Sequence, residues 1–346
     1  MNSVHQHPAW FGAVMGTGAT SVVMATQAGL WNIPSLTWIA VALLLLATAL
    51  ALVLWPRYGR RLASRGDLVA ELGDPGHGAM LATLPAGLLV LAVAWAKVGP
   101  EIIPLSVAIW IDIVLATIGV LLATALGITW ANAIASNAHD LASVNGGWLI
   151  PPVMNLIVPL TLVPVMLHYP DQARWLMVVA FAFFGIGTVL FLAMFTLIIT
   201  RLVLRPRQLA QMAPSLWIPL APAGMLGFAL LRLLQTGEQV GLPGFDSATP
   251  GVIVASMGLG LGLWWSLFAG TELLRLRREG DIPFHPGWWG YVFPIAAMTL
   301  SFMAVGSAVD STAIAAIGAV ATVILVAVWL TVAIRTVGLV RHVRAR

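Results

Sequence analysis

Apolar runs of about 20 residues, the length that crosses a bilayer as a helix, follow one another along almost the whole chain. Short polar breaks separate ten of them, at residues 8–30, 36–55, 77–97, 104–128, 147–167, 175–199, 216–235, 251–274, 287–309 and 312–335. No stretch is left for a separate soluble domain, so residues 1–346 are expected to form a single transmembrane domain. The polar breaks differ in charge. Arginines crowd the breaks after the second run (Arg57, Arg60, Arg61, Arg65), the sixth (Arg201, Arg205, Arg207), the eighth (Arg275, Arg277, Arg278) and the tenth (Arg335, Arg341, Arg344, Arg346). Of the 17 Lys and Arg residues, only Lys97, Arg174 and Arg232 fall at the opposite ends. Basic loops stay cytoplasmic, which places both termini inside a plasma (inner) membrane.

The helix breakers alternate in the same way. Odd runs contain Pro85, then Pro151, Pro152, Pro159 and Pro164, then Pro219 and Pro222, then Pro294; the first run has Gly12, Gly16 and Gly18 instead. Even runs carry proline only at or beyond their ends. Breaks at Gly16, Pro85, Pro159, Pro222 and Pro294 recur about every 70 residues, which indicates five helix–loop–helix repeats. Two repeats also match in letters: PAWFGAVMG (8–16) aligns without gaps to PGWWGYVFP (286–294). A proline at membrane depth frees a backbone carbonyl, tolerated where it is buried in protein or faces a wet cavity. The expected fold is all-α: five helical hairpins around a central pore, odd helices kinked and inside, even helices straight and outside.

Composition narrows the classes. Hydrophobic residues make up 60% and charged residues 9% of the chain, and mean hydropathy is +0.96; soluble proteins carry about 25% charged residues. The net charge of +4 follows from topology, and no soluble basic face exists to hold nucleic acid. The absence of cysteine excludes disulfides and thiolate metal sites. HExxH, P-loop and GxSxG signatures are missing, so no enzyme, cofactor or metal is expected. GLGLG at 258–262 lies within a run and reads as small-residue helix packing. The segment 1–7 has no Lys or Arg, so a cleavable leader is not expected.

Candidate chemistry sits on the odd runs. Gly12, Met15, Gly16, Thr17, Gly18, Thr83, Pro85, Pro152, Pro159, Pro219, Pro222 and Pro294 are expected to line or break the path. Phe293, just before Pro294, can seal a narrow passage by dewetting and swing aside by a rotamer change. Trp288, Trp289 and Tyr291 fit an interfacial belt. Acids within spans are functional suspects: Asp112 and Glu272 are the ones here, and Asp112 with His77 could carry coupled protons. The path is expected to be nearly free of formal charge, with Arg232 reaching outward to the surface. Weak anion contacts would then come from helix ends and hydroxyls such as Thr17, Thr20, Ser21 and Thr83.

PAWFGAVMGTG (8–18), GGWLIPPV (146–153), PLAPAG (219–224) and HPGWWGYVFP (285–294) together resemble the tellurite-resistance/dicarboxylate transporter family. That family includes plant slow anion channels, fungal malate permeases and fungal sulfite efflux pumps. The resemblance implies ten helices around a pore, a homotrimer with one pore per subunit, and a pore-occluding phenylalanine on the ninth helix. Phe293 matches that residue best, with Tyr291 the fallback. Plant channels carry long phosphorylated tails that this sequence lacks, so gating of that kind is not expected. The expected function is a membrane channel or transporter for small anions. The alternatives are a proton-coupled C4-dicarboxylate carrier, a sulfite or tellurite-related efflux transporter and, from another class, a membrane-embedded enzyme or scaffold.

Overall fold

The computed structural model describes residues 7–62, 71, 75–136 and 139–344. Ten long α-helices carry the chain: α1 (Phe11–Trp31), α2 (Pro34–Leu62), α3 (Thr83–Val98), α4 (Leu105–Ser136), α5 (Ile150–His168), α6 (Ala173–Leu204), α7 (Leu220–Gln239), α8 (Thr249–Glu279), α9 (Val292–Ala308) and α10 (Thr312–Arg344). Among the described residues, nine helical stretches are long and apolar enough to span a membrane; α1 is not among them, because glycines and hydroxyl residues dilute its apolar run. The even helices outrun the apolar segments that mark them. α2 continues through Pro56 to Leu62, which corrects the expectation that even helices hold no internal proline. α6, α8 and α10 likewise extend into their arginine-bearing ends.

The prolines act differently from mid-span kinks. Pro85, Pro152, Pro222 and Pro294 each occupy the third residue of α3, α5, α7 and α9. A short helical lead-in precedes each: Pro75–Met80, Gly146–Leu149, Ala210–Trp217 and Pro286–Tyr291. The first turn of an α-helix has no use for its N–H groups, so proline fits there without loss. Regular helix therefore begins where the proline allows. α1 runs unbroken through Gly16, the residue aligned with Pro294. Gly16 keeps its N–H, and the helix extends back to Phe11 after a lead-in of only three residues, Pro8–Trp10. Pro159 and Pro164 alone fit the original expectation, lying inside α5.

Each odd helix packs on the even helix that follows it. The odd helices also pack on one another in sequence, α1 on α3, α3 on α5, α5 on α7, α7 on α9, and α9 back on α1. Burial separates the two sets: 72–83% of the apolar window is buried in the spans of α3, α5, α7 and α9, against 17–33% in the even spans. Apolar residues such as Leu52, Val178, Val203 and Val323 cover the outer faces of the even helices, as a lipid environment permits. Close approach is purchased with glycine. A Cβ on Gly258 of α8 would run into the Ala223 carbonyl of α7, and one on Gly262 into the Met298 side chain of α9, whereas Gly260 faces open space. Hydroxyls and indoles bond helices together: Ser21 Oγ donates to Ala40 O (2.7 Å) within the first hairpin, and Trp329 Nε1 donates to Thr17 Oγ1 (3.0 Å) between the last hairpin and the first.

Candidate functional site

Two cavities lie within the ring, lined by residues of the odd helices and their lead-ins, with Ile218 from the turn that joins a lead-in to α7. The larger, about 420 Å³, runs among the C-terminal halves of all five odd helices, past Val22, Val93, Leu160, Phe228 and Leu300, to Lys97, Arg232, Gln235 and Ser307. The smaller, about 50 Å³, lies among the N-terminal ends and touches Gly12, Met15, Thr83, Ile150, Ala221, Trp289 and Pro294. Phe293 is the one residue common to both linings. Its ring is buried (6% exposed), held by the first turn of α9 next to Pro294.

Of the sequence-derived candidates, Gly12, Met15, Thr83, Phe293 and Pro294 thus meet at a cavity wall. Gly16, Thr17, Gly18, Pro85, Pro152, Pro159, Pro219 and Pro222 are buried but line neither cavity. Gly16 and Gly18 instead make room for Val292 and Val90, the latter on α3. Tyr291 stacks edge-on against Trp217 and Trp288, away from both cavities. Trp288, Trp289 and Tyr291 are all buried, so they do not form a lipid-facing belt. Trp288 donates to Pro283 O (3.0 Å) and receives the Arg335 guanidinium over its ring.

Of the hydroxyls expected to touch a permeant, Thr20, Ser21 and Thr83 are committed to carbonyls, and Thr17 accepts from Trp329. Thr20 Oγ1 donates to Gly16 O (2.8 Å), and Thr83 Oγ1 lies 2.8 Å from Pro8 O and 2.7 Å from Met80 O. Charge is where it was not expected: Lys97 and Arg232 line the larger cavity, and Arg232 Nη1 donates to Gln235 Oε1 (3.1 Å) rather than standing clear of the bundle. The sequence held a signal for them, since they are the only Lys or Arg residues within odd spans.

Glu272 is not a membrane-depth acid; it pairs with Arg275 (3.0 Å) and Arg207 (3.6 Å) in the arginine-rich end. Asp112 is fully buried on the face of α4 that also buries Ala108, Ala116 and Gly119, and neither of its oxygens has a hydrogen-bond partner. It lines neither cavity. The side chain of His77 lies outside the described residues.

Comparison with known proteins agrees with this architecture. The family model described as SLAC1, voltage-dependent anion channel, matches residues 5–337. An uncharacterized transporter of Methanocaldococcus jannaschii is 30% identical over 85% of this chain and 82% of its own length. A sulfite efflux pump of Arthroderma otae is 25% identical over 96% of this chain and 90% of its own, and one of Trichophyton rubrum is 24% identical over the same shares. A match over nearly the whole chain decides the matter: this protein belongs to the SLAC1, voltage-dependent anion channel, family.

Proposed function

We propose that small anions cross the membrane through the ring of odd helices, and that Phe293 gates their path. Family membership makes the chain an anion channel or transporter and not an enzyme. The observation that carries the gate is the position of Phe293, the one side chain bordering a cavity on either side of it. A phenyl ring there keeps a narrow passage dry, and an anion entering it finds nothing to replace its hydration shell. Rotation about χ1 would join the two cavities without moving a helix. Phe293→Ala in proteoliposomes is expected to raise anion flux at least about tenfold, the equivalent of removing about 1.4 kcal/mol of barrier. A folded Phe293→Ala protein passing no more anion than the parent rejects the gate.

A single transmembrane domain with both termini in the cytoplasm, assembled as a homotrimer with one path per subunit, completes this reading. Some relatives are named sulfite efflux pumps, which brings sulfite among the anions to be assayed, beside C4-dicarboxylates, chloride and nitrate. A coupled carrier is the second reading, favoured by the buried and unpartnered Asp112 carboxyl. Asp112→Asn would then uncouple flux from a pH gradient; unchanged pH dependence leaves the simple channel.

A further inference from the structure

Lys97, the only lysine in the chain, ends α3, and Arg232 sits late on α7, with α5 between those helices in the ring. Both line the larger cavity beside Gln235 and Ser307, and Val163 and Leu167 of α5 make the wall apolar. At the opposite end Arg205 pairs with Asp140, Arg207 with Glu272, and Arg275 with Glu272 and Glu279, while Arg201 is buried with its Nε and Nη1 unpartnered. Among the described residues Lys97 and Arg232 have no ion pair at all. Both face the same cavity, and Glu101, on the exposed turn after α3, is the acidic residue nearest to Lys97 in sequence.

Lys97 is exposed and Arg232 half-buried at this end of the cavity, and two like charges lining one space repel. An anion between them removes that repulsion, and an anion of charge two removes more than one of charge one. Arginine adds shape: its planar fork offers paired N–H donors that match an oxyanion edge, and a halide has no such edge. We propose that Lys97 and Arg232 together bind doubly charged oxyanions at the mouth of the larger cavity and set their preference over halides. This rests on the central path proposed above, and adds the charge class of its substrate and the place where it is captured.

The test uses parent, Lys97→Gln, Arg232→Gln and the charge-keeping Lys97→Arg and Arg232→Lys proteins in liposomes, with sulfate and chloride fluxes compared at one ionic strength. Each Gln variant is expected to lower the sulfate-to-chloride ratio about tenfold, as losing one charge-assisted hydrogen bond implies. Lys97→Arg should keep the ratio and Arg232→Lys should lie between. In parallel, sulfate should raise the melting temperature of the detergent-solubilised parent more than chloride does, and this difference should vanish in both Gln variants. Anion flux with an unchanged ratio in the Gln variants overturns the dibasic site and leaves the path standing. If the parent moves neither anion, the path fails and the melting experiment decides the site. Sulfate stabilisation confined to proteins with both charges supports the site; none, or an equal shift in all five, overturns it.

Discussion

At the scale of single residues, His285 shows how one ring nitrogen can hold a functional segment. Its Nδ1 accepts from Gly287 N–H (3.1 Å) and its Nε2 donates to Gln211 O (2.8 Å), so the neutral imidazole caps the lead-in that delivers Phe293. Burial holds its pKa below the ordinary 6.5, partly countered by the Gln211 carbonyl. A proton added to Nδ1 would face the Gly287 N–H, donor against donor. The folded pKa is lower than the unfolded one, so the stability from the neutral ring is complete above about pH 6.5 and is lost as the pH falls through the lowered value. Melting temperature should therefore drop between about pH 7 and about pH 5, in the titration range of His. His285→Asn should remove that part of the drop, because Asn145 already caps the fifth span in the same way, its Oδ1 accepting from Gly147 N–H (2.8 Å). An unchanged acid slope in His285→Asn would assign the drop to other groups. Single residues were only partly legible in the sequence. Phe293 stands out in the sequence as the residue before Pro294 and as the match to the family's ninth-helix phenylalanine, while its contact with both cavities comes from packing. Lys97 and Arg232 stand out as the cations of odd spans, but a cation near a span end reads alike whether its helix turns it outward or into the ring.

At the scale of elements, the odd–even alternation was readable because two independent signals, breakers and arginines, followed it. Its physical form was not. Sequence shows that a proline interrupts helical hydrogen bonding, but not on which side of it the regular helix lies. The four prolines at third positions show that the interruption falls at the start, and the three-residue lead-in of α1 shows what happens when glycine replaces proline. Helix spacing was better specified. GLGLG reads as packing, and Gly258 and Gly262 do meet α7 and α9 while Gly260 meets nothing. Gly258→Ala should cost about 1–3 kcal/mol, since its Cβ must displace backbone rather than a side-chain tip. Gly260→Ala should be neutral or gain up to about 1 kcal/mol from helix propensity. Unfolding midpoints in detergent would check the pair; equal losses at both positions would mean that helix propensity, not the α7–α8 approach, governs them.

At the scale of the whole molecule, two asymmetries run in the same direction. The arginine-rich ends of α6, α8 and α10 surround the smaller cavity's end of the ring, while Lys97 and Arg232 stand at the far end of the larger one. Retention of basic loops in the cytoplasm would turn the dibasic mouth outward and the Phe293 lead-in inward. Two exposed loop positions can decide this: Ser247, between α7 and α8, and Asp281, between α8 and α9. The native chain has no cysteine, so single cysteines can be read without background. A membrane-impermeant maleimide should label Ser247→Cys in intact cells, and Asp281→Cys only after permeabilisation. The reverse pattern would place the dibasic mouth in the cytoplasm, where it would load anions for export instead of capturing them from outside. Orientation therefore decides which compartment supplies the anion that Lys97 and Arg232 meet first, and that is a property of the loops rather than of the ring.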